Sequence, residues 1–484
     1  MIKLYLDWNV INGMRTCTEV DELLSLRKYI EKNRSYFEIY YSQAHLSDLA
    51  GQRYLFDDTI KEDLEYLSKL TENKALVIKN DIVDIQSISP LDWYQTIIED
   101  HKILNVDSFD DLLKIISTDC PETKPLIDNY IRVLKSTLLP SIPKQFEQLI
   151  PDIAGKTCYD AFNAIFKLSK SWMQTDAYSK VRNLIQSLLN FKTSTLSSTT
   201  KPFIDISKSF ENLGSSVTYE NIEQTVEKSF ISKTPVWYNN IISTYLNLDM
   251  YGYSQDEISI KDNKKKTFQN TANDAIHAAY ASVCHFFIIQ DKKARRKTEA
   301  TYNHLEINTT VLNPVRKKEN SSYIYFISNE YIVSPQTVKD LYQSILKTID
   351  IGTILKETAN DGTQVIFSVY STSIYYGFFN KIIIIPEEKS FQIALAFKKP
   401  TNCPMINLVS VVKLANQLIS LFGIPNCGTK QVELSHFDAF RANQNSNWTL
   451  YWQDAFLIVF SGGVQFYFPW IPLENTEPKN PQTN

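Results

Sequence analysis

The sequence predicts an α/β fold: a parallel-sheet domain split by a mostly helical insertion, followed by a C-terminal α+β domain. Two apolar strands that each run into a carboxylate predict the sheet. Ile2–Ile11 contains Leu4-Tyr5-Leu6 before Asp7, and far downstream His285–Ile289 leads through Gln290 to Asp291. Between them helical periods dominate, and after residue 320 several short apolar strands return. Strands alternating with helices form parallel sheets, whose carboxyl ends are the rims where ligands bind.

The elements follow in order. After the first strand, Val20, Leu23, Leu24, Leu26 and Ile30 repeat at helical spacing. Tyr36–Tyr41 reads as a second strand, and Ser42 is placed to cap the helix Gln43–Ala50. That helix turns His45 and Asp48, three residues apart, onto one face. From residue 54 to 267 the sequence reads as mostly helical: Leu112–Ile116, Ile127–Leu134 and Val181–Leu189 carry the pattern. Turns are expected at Pro140, Pro143 and Pro151, and a loop at Thr193–Thr200. Trp172, Trp237, Tyr238 and Tyr251 read as core. The α/β pattern resumes at residue 268. Thr271-Ala272-Asn273-Asp274 looks like a capping box opening a helix rich in alanine, and the basic helix after Asp291 leads to a strand at Ile307–Leu312.

Arg316–Ser322 reads as a linker. Beyond it, strands are expected at Tyr323–Ile327, Gln364–Tyr370, Lys381–Ile385, Phe391–Phe397, Thr449–Trp452, Leu457–Phe460 and Val464–Phe468. Helices are expected at Ser334–Ile349 and Ile406–Phe422. The expected division is a discontinuous sheet domain at 1–53 and 268–315, the insertion at 54–267, the α+β domain at 320–472 and a polar tail at 473–484.

Composition narrows the function. The net charge of −4 excludes a uniformly basic nucleic-acid coat, though not a local basic patch. Only 12 of 484 residues are glycine, against about 7% in average proteins, so a glycine-rich phosphate cradle is not expected. Gly155-Lys156-Thr157 lacks the earlier glycine of a P-loop, because residue 150 is Ile. The six cysteines show no C-x-x-C spacing, so neither a zinc site nor a disulfide framework is expected. No secretory signal or membrane-length apolar run is visible, and a cytoplasmic setting is expected.

Four carboxylates, Asp7, Asp48, Asp274 and Asp291, are each placed to reach one sheet rim. Clustered carboxylates repel one another unless a cation lies between them. Each has a plainer reading too: Asp7 as a helix cap, Asp48 as a solvated helix residue. His45 and His277 read as structural. Basic residues bracket the last two carboxylates: Lys264, Lys265 and Lys266 on one side, then Lys292, Lys293, Arg295, Arg296 and Lys297. They form either a solvated face or a phosphate-tracking surface.

The motifs L-D-x-N-V-I at Leu6–Ile11, an acidic residue on the helix after the second strand, D-A-x-x-A-A-x-A at Asp274–Ala281 and an apolar strand running into Asp291 resemble the PIN-like nucleases. The resemblance covers residues 1–52 and 268–315. It implies a PIN-like parallel sheet and a metal-dependent nuclease acting on RNA, less readily DNA. Asp7, Asp48, Asp274 and Asp291 would hold Mg²⁺ or Mn²⁺, and Asn9 would orient Asp7. It also implies a bacterial toxin or anti-phage effector; the size of the added modules suggests regulation by a partner protein or a ligand. Here the second acidic residue is Asp where Glu is frequent, and Ile289 stands where a small hydroxyl residue is often found. A non-catalytic nucleic-acid or protein-binding scaffold with a relic site is the alternative. Haloacid-dehalogenase-like phosphatases also open with a strand ending in Asp, but they need D-x-D and residue 9 is Asn. RNA against DNA, endo- against exonuclease, and oligomeric state stay open.

Overall fold

A computed structural model describes residues 2–50, 56–104, 124–138, 156–164, 177–188, 202–211, 219–221, 234–257, 268–314, 332–351, 354–358, 365–398, 408–443 and 447–472, with Lys167 and apart from short breaks inside several segments. The expectations at Leu112–Ile116, Pro140, Pro143, Pro151, Trp172, Thr193–Thr200, Lys264–Lys266, Arg316–Ser322, Tyr323–Ile327 and the tail lie outside the described residues.

The first sheet has four parallel strands in the order β2-β1-β5-β6, formed by β1 (Ile2–Leu6), β2 (Phe37–Tyr40), β5 (Phe286–Ile288) and β6 (Thr310–Leu312). Leu4 pairs with Ile39 on one side and Phe286 on the other, and Phe286 pairs with Thr310. Successive side chains point to opposite faces. Ile2, Leu4 and Leu6 therefore enter one core cluster, while Tyr5 and Phe287 enter another. Burial on both faces explains the nearly unbroken apolar run. The chain leaves β1 toward β2 and returns on the other side at β5, which puts a topological switch point between β1 and β5.

The first face is covered by α1 (Trp8–Thr16), α2 (Glu22–Lys32), α4 (Asp58–Thr71) and α5 (Pro90–Leu104). The strand expected to reach Ile11 stops at Leu6, because Asp7 is the N-cap of α1. The other face carries α9 (Val236–Met250) and α10 (Phe268–Ala281), where Ala275, Ala278 and Ala279 are fully buried and let α10 lie close to the sheet. Helix α3 (Gln43–Ala50) is capped as expected, with Ser42 Oγ accepting from the Ala44 amide at 3.2 Å. Helix α10 starts at Phe268, three residues before the expected capping box, so Thr271 and Asp274 lie inside it.

The region after residue 54 is not helical throughout. Strands β3 (Lys74–Lys79) and β4 (Ile82–Ser87) form an antiparallel hairpin, whose alternating Val77, Val83 and Ile85 favour strand over helix. Tyr41 bridges to Ala75 in parallel, so the hairpin continues the sheet beyond β2. Leu64, Leu67, Ala75 and Tyr94, all within the expected insertion, share the core of β1. Further along are α6 (Lys124–Ser136), α7 (Ala177–Leu188) and α8 (Pro202–Glu211). Tyr238 and Tyr251 are buried, as expected of core aromatics.

The C-terminal part holds a separate, mainly antiparallel sheet in the order β12-β13-β14-β11-β10-β9-β7, with β8 paired to β9 and β15 to β11. Its strands are β7 (Ile332–Val333), β8 (Ile354–Thr358), β9 (Val365–Tyr375), β10 (Phe379–Pro386), β11 (Ser390–Lys398), β12 (Trp448–Tyr451), β13 (Phe456–Phe460), β14 (Gly463–Tyr467) and β15 (Ile471–Pro472). Helix α13 (Leu408–Phe422) packs Val411, Leu414 and Leu418 into the same core as Ile382, Leu395 and Phe466, and α12 (Val338–Ile351) adds Leu341 and Ile345.

Candidate metal centre

Asp7 follows the last residue of β1 and is 3% exposed. Its side chain makes no capping hydrogen bond with α1, so capping does not account for its burial. Asn9 Nδ2 donates to Asp7 Oδ2 in a long hydrogen bond of 3.3 Å. Burial, with Asp48 nearby, raises the Asp7 pKa to about 6. His277 and Asn9 pull the other way without offsetting the burial, and a buried carboxylate is costly unless it is paired.

Asp48 reaches the same place from α3. Its Oδ1 accepts a short hydrogen bond from Asn273 Nδ2, and its Oδ2 faces His277 Nε2 at 2.8 Å. Asn273 and His277 are four apart on α10 and so share a face. Among the described residues, Asp7, Asp48 and His277 bring ligand atoms to within 4.8 Å of one another. Burial opposes charge on the His277 ring, but the Asp48 carboxylate outweighs it and the pKa is raised.

Above this group lies an open cleft of about 580 Å³ lined by Trp8, Asn9, Asp48, Asp256, Glu257, Asn270, Thr271, Asp274, Asp291, Lys292 and Lys293. Asp274 falls outside the 4.8 Å group but lines the cleft, and burial together with Asp256, Asp7 and Asp48 drives its pKa well up. Asp291, the fourth expected carboxylate, also lines the cleft. It is exposed at the rim and caps α11 (Lys292–His304), with Oδ1 accepting from the amides of Lys293 at 2.7 Å and Ala294 at 2.9 Å.

The basic helix α11 also divides. Lys292 and Lys293 line the cleft, and Lys293 lies 3.9 Å from Glu257. Arg295 and Lys297 are buried and do not belong to a phosphate-tracking surface. Lys297 Nζ sits 2.6 Å from Asp256 Oδ2 and 3.1 Å from Asp249 Oδ1, and Arg182 Nη1 lies 2.9 Å from Asp249 Oδ2. Arg296 is half-buried. Helical periodicity accounts for the split: positions 291, 292 and 293 begin the helix at the rim, whereas 294, 297, 298 and 301 face inward.

Sequence reasoning missed Asp256 and Glu257, which the turn after α9 delivers to the cleft wall. Thr271 Oγ1 donates to Asp256 Oδ2 at 2.8 Å, so the Thr271 expected to cap α10 instead fixes this carboxylate. His45 is structural: Nε2 donates to the Leu6 carbonyl at 2.8 Å, while Nδ1 accepts from the Ser42 amide at 3.0 Å. Burial lowers its pKa well below the ordinary value. Among the described residues no helix is long and apolar enough to cross a membrane.

The donor set suits a hard cation. Carboxylate oxygens at a sheet rim, beside an open cleft of mixed charge, are the ligands Mg²⁺ and Mn²⁺ prefer. Comparison with protein-family models, with curated proteins and with solved structures gives no match.

Proposed function

We propose that the cleft binds Mg²⁺ or Mn²⁺ and hydrolyses phosphodiester bonds of nucleic acid, RNA in preference to DNA. The observation that carries this reading is the group of Asp7, Asp48 and His277 at the carboxyl end of β1, next to the switch point of the sheet. A bound divalent ion supplies Lewis acidity and lowers the pKa of water. Asp7 and Asp48 hold it, with Asp274 the nearest further carboxylate in the cleft. Asn9 steadies Asp7. Lys292 and Lys293 draw the phosphate backbone toward a cleft that would otherwise repel it. Preference for RNA, and a role as toxin or anti-phage effector, rest on the PIN-like resemblance of the motifs alone.

The competing reading, a nucleic-acid or protein-binding scaffold with a relic site, draws on Asp291, whose carboxylate is engaged in capping α11. End-labelled single-stranded RNA, single-stranded DNA and duplex DNA, incubated with Mn²⁺, Mg²⁺ or EDTA, separate the two. Metal-dependent cutting that disappears in Asp7→Asn and Asp274→Asn is the expected result. No cutting on any substrate, together with no heat of Mn²⁺ binding, makes the scaffold the better reading.

A further inference from the structure

His277 is fully buried, and both of its ring nitrogens are engaged. Nε2 faces Asp48 Oδ2 at 2.8 Å, and Nδ1 faces the Tyr5 hydroxyl at 2.9 Å. The Tyr5 hydroxyl in turn lies 2.6 Å from Ser42 Oγ, which accepts from the Ala44 amide at 3.2 Å. A four-member chain thus runs from the start of α3, through the centre of β1, to α10, and back to Asp48 on α3. With a neutral ring, Nε2–H donates to the carboxylate and Nδ1 accepts from the Tyr5 O–H. With both nitrogens protonated, Nδ1–H donates to the Tyr5 oxygen and the Tyr5 proton turns to Ser42. The chain is hydrogen-bonded in either state.

Asn273 closes the arrangement. Its Nδ2 carries two hydrogens, and it has two acceptors: Asp48 Oδ1 and the Ala44 carbonyl, the latter at 3.1 Å. Each Asp48 oxygen therefore accepts one protein hydrogen bond and keeps a second lone pair for a cation. The His277 ring has no such spare capacity, because a cation on Nε2 would displace the contact to Asp48. Partners that hydrogen-bond a ligating carboxylate fix its orientation, and losing one typically costs about 10- to 100-fold in metal affinity.

We propose that His277 is a positioning residue rather than a metal ligand: with Asn273 it aims the Asp48 carboxylate at the cation, and Tyr5 holds the ring in place. This rests on the reading that the cleft takes a divalent cation, and it assigns the Asp7–Asp48–His277 group two ligands and one aiming side chain.

The test is Mn²⁺ binding to the purified full chain, followed by calorimetry, for wild type, His277→Leu, His277→Gln and Tyr5→Phe, with thermal unfolding of each metal-free variant alongside. Glutamine places an N–H near the position of Nε2 and is a poor ligand for Mn²⁺, so it restores aim without restoring ligation. Leucine is expected to weaken Mn²⁺ binding by about 10- to 100-fold, the range seen when such outer partners are removed. Glutamine is expected to recover most of that loss. Tyr5→Phe keeps the aromatic packing and, with the ring less firmly held, is expected to fall between wild type and His277→Leu. Leucine binding like wild type overturns the inference, and so does a folded glutamine variant as weak as leucine, which makes the imidazole a ligand. Should His277→Leu not fold, Tyr5→Phe with unchanged affinity overturns it equally. Absence of Mn²⁺ binding by wild type overturns the cation reading first and this inference with it.

Discussion

Lys297 and Asp256 form an ion pair that joins the interior to the cleft: Nζ and Oδ2 lie 2.6 Å apart, the lysine side chain fully buried and the carboxylate 23% exposed. The lysine also contacts Asp249 on α9, which Arg182 on α7 pairs with from the other side. Helices of the region between the two halves of the sheet motif are thus tied to the cleft wall through one ammonium group. Replacing one partner of a buried pair leaves the other uncompensated, at about 3–5 kcal/mol. Asp249 keeps Arg182, so Lys297→Met is expected to lose about 3 kcal/mol in denaturant unfolding, near the lower end of that range. A loss under about 1 kcal/mol would assign the pair no more than a surface bridge's worth.

Lys292 and Lys293 are expected to act on nucleic acid instead. Each phosphate contact on a single strand contributes about 0.7 to the slope of log affinity against log salt. The double variant Lys292→Ala/Lys293→Ala should therefore flatten that slope by about 1.4, measured by RNA binding across a salt series with Ca²⁺ present. Unfolding midpoints should barely move. An unchanged slope removes these two lysines from the interface.

Asp7 makes stability depend on pH in a stated direction. Its folded pKa of about 6 lies above the ordinary 3.8, so between those values the folded chain binds more protons than the unfolded one. The stabilising contribution is complete below 3.8 and is lost as pH rises through about 6. Asp7→Asn removes this burden of about 3 kcal/mol, an order-of-magnitude figure. In EDTA the variant is expected to melt above wild type at pH 7.5, with the gain vanishing toward pH 4. Equal melting points at both pH values would mean the carboxylate is better compensated than its surroundings indicate.

A divalent cation should act on the same group from outside. Mn²⁺ at 100 times its dissociation constant is expected to stabilise wild type by about 2.7 kcal/mol at pH 7.5, and less at pH 5, where Asp7 holds a proton. Calorimetric melting with and without the ion reads this, and Asp7→Asn should show little response.

Gly13 sets how closely α1 and α2 approach. A Cβ there would lie 2.3 Å from Cδ1 of Leu23, which is 5% exposed, so that side chain would have to shift. Alanine gains about 1 kcal/mol in helix propensity but overpacks the contact by about 1–3 kcal/mol. Gly13→Ala is expected to lose about 1 kcal/mol net in denaturant unfolding, whereas a gain would show that Leu23 yields.

What was legible in the sequence was what local patterning encodes. Leu4 to Leu6, Ile39 and Phe286 to Ile288 announce buried strands because both faces of a parallel sheet are covered, and Ala275 to Ala281 announce a helix lying close upon it. Asp7 and Asp48 were legible because the end of a strand and the polar face of a short helix fix where each side chain emerges. Asp256 was not, because it sits in a turn after α9 and owes its position to Lys297 and Thr271, partners 41 and 15 residues away. Runs of basic residues misled for a related reason. Charge pattern says nothing of which helical face meets a buried carboxylate, and Lys297 looks on paper like Lys293. The hairpin at Lys74–Ser87 was hidden by the helices flanking it, α4 and α5.

The order of the strands also governs when the cleft can exist. Leu4 pairs with Phe286, so the middle of the sheet stays open until about 280 residues separating the two have been synthesised. At about 5–20 residues per second that is roughly 14–56 s on a translating ribosome. Asp7 and Asp48 emerge early, yet Asn273 and His277, which fix Asp48, and Asp274 in the cleft emerge near the end of that interval. A nascent chain therefore carries no assembled cation site while most of its length is being made. Chains stalled before residue 286 should bind no Mn²⁺, and those stalled well beyond residue 314 should.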